Sequence, residues 1–138
     1  MSLPVAEVRR LLGESRRREK AQALFYRTLA AMAIRSGREA DAERLNELHA
    51  DEQHHLSRLT ARLLELAGEL RDLADVTSPD APPDAWEDLA RRRETDEVAW
   101  YEEVLAAPLD PVTREVVEEI LASERRHRAE LRGKWMSA

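Results

Sequence analysis

Steps of three and four between apolar residues run through four stretches of this chain, and in every one glutamate interrupts the apolar series. Such a series is the stripe that an amphipathic helix buries. In the second stretch it reads Leu45, Leu48, Glu52, His55, Leu59, Leu63, Leu66. In the fourth it reads Val116, Ile120, Glu124, His127, Leu131, flanked by Val117 and Trp135. Both interruptions are Glu-x-x-His. The first stretch runs Val8, Leu12, Ser15, Glu19, Gln22, Tyr26, Leu29, Ala33, and the third Ala90, Glu94, Glu97, Tyr101, Leu105. Four helices that bury these stripes against one another bring Glu19, Glu52, His55, Glu94, Glu97, Glu124 and His127 into one interior, the pattern of a carboxylate-bridged dinuclear metal site in a four-helix bundle.

A buried carboxylate without a counter-charge costs several kcal/mol or takes up a proton. Five glutamates in one core therefore call for a large positive charge. Two divalent cations supply +4 against −5, and move the formal net charge of −6 to −2. Side chains three residues apart on a helix lie about 60° apart on one face, so the Glu and His of each pair can address the same pair of ions. A single Glu-x-x-His arises readily by chance in a Glu-rich helix. Two copies in stripe register, each matched by further stripe glutamates, do not. The competing reading is a buried salt-bridge network built with the abundant arginines. His49 and His54 lie beside the stripe and read as surface or supporting residues. Trp86, Trp100 and Trp135 read as core.

The 138 residues suit one domain, residues 1–138, of all-α composition: 36% charged, 4% aromatic, with no alternating β pattern. Without cysteine there are no disulfides, thiolate zinc sites, iron–sulfur clusters or rubredoxin-type iron centre, so electrons for redox chemistry must come from a separate donor protein. No apolar run approaches the ~20 residues that span a membrane, and no signal-peptide apolar segment opens the chain. A cytoplasmic location and no membrane partner are expected. Arginine clusters at Arg16 to Arg18, Arg91 to Arg93 and Arg125 to Arg128 are interleaved with acids and lack an aromatic platform, so no nucleic acid is expected. Each cluster lies within about a turn of a stripe glutamate, which allows one or two arginines to balance carboxylates.

Helices are predicted over about 4–35, 38–67, 84–106 and 110–134. Pro4 suits a first turn, Gly37 marks a hairpin, Asp84 can cap the third helix after Pro82-Pro83, and Asp110-Pro111 makes an N-cap with Pro at N1. The long connection between Gly68 and Pro83 has the reach, at up to ~3.3 Å per residue, to cross the roughly 38 Å that parallel second and third helices require. An up-down-up-down path stays open. The spacing Glu19, Gln22, Tyr26 repeats as Glu94, Glu97, Tyr101, which suggests two hairpins facing each other about a pseudo-twofold axis, with Gln22 opposite Glu97 as the chemical asymmetry.

Taken together, Glu19 to Tyr26, Glu52-Gln-His-His55, Glu94-Thr-Asp-Glu97 and Glu124-Arg-Arg-His127 resemble the rubrerythrin branch of the ferritin-like superfamily, over nearly the whole chain. The resemblance implies a ferritin-like antiparallel four-helix bundle with a long link between helices 2 and 3. It also implies two iron ions, bridging roles for Glu52 and Glu124, and terminal roles for Glu19 and Glu94. His127 would be a fixed terminal ligand, and Glu97 a carboxylate that exchanges with His55. A homodimer is expected on the same ground. The rubredoxin domain of rubrerythrins in the strict sense is absent. Bacterioferritins place a haem-binding methionine after the second-helix bridging glutamate, where this chain has Gln53, and little sequence follows helix four. Neither haem nor a ferritin-type shell is expected.

The expected function is a non-haem diiron oxidoreductase of peroxidase or ferroxidase type, which reduces hydrogen peroxide or oxidises Fe(II) with peroxide or dioxygen. Two irons ~3.5–4 Å apart can hold both oxygens of a peroxide and give one electron each. Mixed Glu and His ligands also accept manganese, which would make the protein catalase-like. An iron carrier or storage component of a larger assembly is the other alternative. For Tyr26 and Tyr101 two roles stand side by side. They hydrogen-bond the ligands and quench stray oxidant, or they are core aromatics with satisfied hydroxyls.

Overall fold

The computed structural model describes residues 1–131. Four helices form: α1 (Val5–Arg35), α2 (Glu39–Glu65), α3 (Trp86–Ala106) and α4 (Pro111–Glu130), with no strand among the described residues. They begin and end within about two residues of the expected positions. The exception is the end of α4, where Leu131 is in a turn; residues 132–134 and Trp135 lie outside the described residues.

Local chemistry sets most of the boundaries. After α1, Gly37 takes φ +73°, its N–H donates to the Ile34 carbonyl (3.0 Å) and the Arg38 N–H donates to the Ala33 carbonyl (2.8 Å). That pair of bonds is the Schellman ending, and glycine adopts its left-handed residue without steric cost. The end of α2 repeats the bonds through Ala67 to Leu64 (2.9 Å) and Gly68 to Leu63 (2.8 Å). Here the left-handed residue is Ala67 (φ 56°), and Gly68 leaves room for the Leu63 side chain, which would lie 2.3 Å from a Cβ at that position and have to shift. At α4 the Asp110 carboxylate accepts from the Thr113 N–H (2.9 Å) with Pro111 at N1, as expected. Pro4 stands just before the first turn of α1 rather than in it. Asp84 does not cap α3. The Ala85 N–H bonds back to the Pro82 carbonyl (3.2 Å), so Asp84 falls inside a turn and Ala85 takes the cap position with no side-chain bond.

Two apolar clusters reveal the topology. One joins Val8 and Leu12 of α1 with Leu59 and Leu63 of α2, Val98, Tyr101 and Val104 of α3, and Val116 to Leu121 of α4. The start of α1, the ends of α2 and α3 and the start of α4 therefore share one end of the bundle. The other cluster joins Phe25 to Ala33, Ala42 to Leu48, Trp86, Ala90 and Leu131. Thus α2 and α3 run parallel, and the link at 66–85 travels the length of the bundle; the run at 69–74 belongs to it and is not helical. Along α1 the link is pinned in order. Arg9 donates to the Leu66 carbonyl (2.6 and 2.8 Å), Arg16 to the Arg71 carbonyl (3.4 Å), Arg17 pairs with Asp75 (3.0 Å) and Thr28 meets Ser78 (3.1 Å). From Arg9 to Thr28 is about 28 Å at 1.5 Å per residue. Between the two clusters lies a polar layer.

Candidate metal centre

Each stripe glutamate and histidine arrives in that polar layer. Glu19, Glu52, Glu94 and Glu124 are fully buried, His127 and His55 nearly so, and Glu97 is 4% exposed. Carboxylates in such a place need partners, and the protein supplies too few. Both oxygens of Glu52 and of Glu124, one oxygen each of Glu19, Glu94 and Glu97, and Nδ1 of both histidines are buried without a hydrogen-bond partner. Native interiors leave few polar atoms in this condition, and a cluster of them marks a candidate ion-binding or reactive site.

The orphaned atoms fall into two overlapping groups. Glu19, Glu52, His55 and Glu124 each offer a ligand atom within 4.8 Å of the others, and so do Glu52, Glu94, Glu124 and His127. Glu52 and Glu124 belong to both. His55 Nδ1 stands 3.4 Å from Glu19, 3.4 Å from Glu124 and 3.7 Å from Glu52. His127 Nδ1 stands 3.0 Å from Glu52, 3.3 Å from Glu124 and 3.7 Å from Glu94. The two rings lie stacked, with centroids 6.1 Å apart. All seven side chains named from the sequence thus reach the same layer, and six of them form the two groups. Glu97 joins neither; its carboxylate lies 3.4 Å from Arg18 Nη1.

Electrostatics in this layer are severe. Burial, then the charges of Glu124, Glu19 and Glu94, push Glu52 well above the carboxylate range. Burial and the charges of Glu19 and Glu94 do the same to Glu124. Glu97 rises to about 8 through burial and the charge of Glu19, with Arg18 opposing. Burial disfavours the charged form of Glu19 too, but His55 and Glu52 outweigh it and hold the group below its usual value. For His127, burial is overcome by the Glu124 and Glu94 carboxylates, and the imidazole is raised to about 11. Burial and neighbouring carboxylates thus disfavour the charged forms of Glu52, Glu124 and Glu97, which bound cations would favour. Oxygen and imidazole nitrogen donors in two sets of four suit two divalent ions of iron or manganese type.

A supporting shell surrounds the two groups and follows the pseudo-twofold. The Tyr26 hydroxyl donates to Glu94, and the Tyr101 hydroxyl donates to Glu19 (2.7 Å), so each tyrosine holds the glutamate of the opposite helix. Gln22 Nε2 donates to Glu94 (3.2 Å) and receives Arg93 Nε on its oxygen (2.5 Å). Arg18 takes the matching place toward Glu97. Its guanidinium lies 4.4 Å over the Trp100 ring, and that of Arg93 lies 5.2 Å over Phe25. Trp100 is only partly buried and donates to Ser15 Oγ (3.0 Å), whereas Trp86 is core as expected. The repeat therefore extends to Arg-Glu-x-x-(Gln/Glu)-x-x-(Phe/Trp)-Tyr, at residues 18–26 and 93–101.

Asp51 was not visible as part of the site from sequence. Its carboxylate is 2.9 Å from His127 Nε2, which fixes the ring with Nδ1 facing inward. The signal was its place directly before Glu52. The residue that matches it before Glu124 is Ser123, a shorter and uncharged side chain. On the Ser123 side a cavity of about 340 Å³ opens between α2 and α4, lined by Asp51, His54, His55, Arg58, Glu119 and Arg126 among others. His54 is exposed there, and His49 meets the Ala23 carbonyl through Nδ1 (2.8 Å).

No family model matches this sequence, and no curated protein matches it either. Solved structures do match. A bacterioferritin of Rhodobacter capsulatus, described with a metal-free dinuclear site and a haem iron on a crystallographic special position, superposes with a TM-score of 0.83 at 23% identity. The match covers 95% of this chain and 84% of that one. The fold is the ferritin-like four-helix bundle. At that identity the likeness speaks for architecture alone. Gln53, read from sequence against haem, is exposed on α2. No described helix is long and apolar enough to cross a membrane.

Proposed function

We propose that this chain is a diiron oxidoreductase that oxidises Fe(II), with hydrogen peroxide or dioxygen as electron acceptor. The observation that supports it most is the pair of four-residue groups sharing Glu52 and Glu124, with their donor atoms unpartnered. Glu19, Glu52, His55 and Glu124 would hold one ion and Glu52, Glu94, Glu124 and His127 the other, with Glu97 in reserve. Two Fe(II) ions held there would supply the two electrons that, with two protons, reduce one hydrogen peroxide to two waters.

The chain's own residues do the rest. Glu52 and Glu124 join the two positions and carry anionic charge that favours the ferric product. Tyr26 and Tyr101 orient Glu94 and Glu19 through their hydroxyls and stand close enough to quench stray oxidant. Asp51 fixes His127. The two apolar clusters exclude bulk water, and the α2–α4 cavity gives a molecule the size of peroxide a path to the His55 side. Return of the product to Fe(II) needs a separate electron donor protein, since no cysteine is present to hold a redox centre. Gln53 argues against haem, and the resemblance to the rubrerythrin branch is the sole ground for expecting a homodimer.

The second reading is an iron storage component, favoured by the likeness to a bacterioferritin. One experiment separates the two. Metal per chain is measured in protein purified without added metal, followed by anaerobic mixing of the Fe(II) form with peroxide. Two irons per chain and rapid oxidation at a ratio of two irons to one peroxide agree with the oxidoreductase. Iron uptake far above two per chain favours storage. Two manganese ions with oxygen release identify a catalase, and no bound metal after reconstitution leaves the layer as a buried charge network.

A further inference from the structure

The pseudo-twofold is broken where Glu97 stands opposite Gln22. Gln22 is bonded to its neighbour Glu94 and to Arg93, so it is held on both sides. Glu97 has no such bond to Glu19, its matching neighbour, and one of its oxygens is buried without any partner. What it has is Arg18, at 3.4 Å. Arg18 is placed by stacking, with its guanidinium 4.4 Å over the Trp100 ring, while its Nε makes no hydrogen bond and lies 3.7 Å from Glu14. Trp100 is anchored in turn by its bond to Ser15. A half-exposed arginine thus pairs with a buried carboxylate that lies outside the His55 group.

Resting on the two-ion reading above, we propose that Arg18 is a positioning residue that holds Glu97 out of the group formed by Glu19, Glu52, His55 and Glu124, and so keeps the ion at that position the weaker bound and more exchangeable of the two. At the His127 position the matching arginine, Arg93, holds the neutral Gln22 and not a carboxylate. The fourth-helix histidine there is clamped by Asp51, and that glutamine takes the place of Glu97. Freed of Arg18, Glu97 turns inward and adds a fifth protein donor on the His55 side. An arginine acting only through its charge would also weaken that ion, but would do so whether or not residue 97 can ligate.

The test is a Co(II) titration of the metal-free full chain, read by the cobalt d–d absorption, on wild type, Arg18→Gln, Glu97→Gln and the double variant. Wild type is expected to bind two Co(II) per chain in two distinguishable steps. Arg18→Gln is expected to tighten the weaker step at least tenfold and to lower its absorptivity, since higher coordination gives weaker d–d bands. Between Glu97→Gln and the double variant the same step should change less than threefold. An equal tightening in both backgrounds overturns the latch and leaves a charge effect; no tightening in either overturns it as well. Two ions bound with no effect of Arg18 refutes the positioning role alone, whereas no Co(II) bound by wild type refutes the metal centre with it. Should Arg18→Gln fail to fold, by loss of helical circular dichroism, Arg18→Met keeps the apolar stem over Trp100 and serves the same comparison.

Discussion

Glu52 and Glu124 carry the largest burden in the metal-free chain, because each is buried among other carboxylates with neither oxygen bonded. Glu52→Ala is therefore expected to abolish binding of both ions, while raising the stability of the metal-free protein; equilibrium dialysis and thermal unfolding check the two halves. Asp51→Asn is expected to weaken the His127-side ion by about 10–100-fold, the usual cost of losing a partner behind a ligating histidine. Isothermal titration that leaves both steps unchanged would count against that role. The groups legible from sequence were those whose polarity contradicts their place: a glutamate or histidine on an apolar stripe has no structural reason to be there. The clusters holding Arg18 and Arg93 were legible as a source of one or two arginines that balance carboxylates, but not which ones, and Asp51 was hidden because aspartate beside a stripe looks the same as solvated surface. Only alignment of the two halves, with Arg before Glu and an aromatic before Tyr, singles out the arginines.

At the level of elements, helix ends were readable where one residue type does one job, as at Gly37 and Asp110. They were misread where neighbouring backbone decides, as at Asp84, which the turn closed by Ala85 and Pro82 takes out of cap geometry. Two substitutions exploit local backbone. Gly13 lies inside α1 with nothing within 4 Å of an added Cβ, so Gly13→Ala is expected to stabilise by about 0.5–1 kcal/mol. Asp110 both caps α4 and receives Arg62 Nη2 (2.8 Å), so Asp110→Ala is expected to destabilise by about 1–2 kcal/mol. Urea unfolding midpoints at constant slope test both. The direction of the 66–85 link was left open by its length, because length permits either path; the arginines of α1 that accept it read, in sequence, as ordinary surface charge.

For the whole molecule, protonation and metal loading oppose each other. Glu52, Glu124 and Glu97 have raised values, so the folded metal-free protein keeps protons that the unfolded chain releases above about 4.5. Their contribution to stability is full below that pH and is lost as pH rises, for Glu97 through about 8. His127, raised to about 11, acts in the same direction, losing its contribution above 6.5. Glu19, held low, acts in the opposite one. The metal-free melting temperature is expected to fall between about pH 5 and 8. The loaded protein is expected to hold or gain over the same range, because ions displace those protons. At 100 times the dissociation constant each ion adds about 2.7 kcal/mol, so the two curves should part by upwards of about 10 °C near neutral pH. Calorimetric scans of both forms across that range are the check.

Neither helical hairpin owns a complete set of donors. The His55 group borrows Glu124 from α4, and the His127 group borrows Glu52 from α2. An ion seated in either position is consequently a non-covalent staple across the seam between the halves, and the halves cannot part until it leaves. In the loaded protein, amide exchange in α1 and α2 should become synchronous with that in α3 and α4 and run at the pace of ion release.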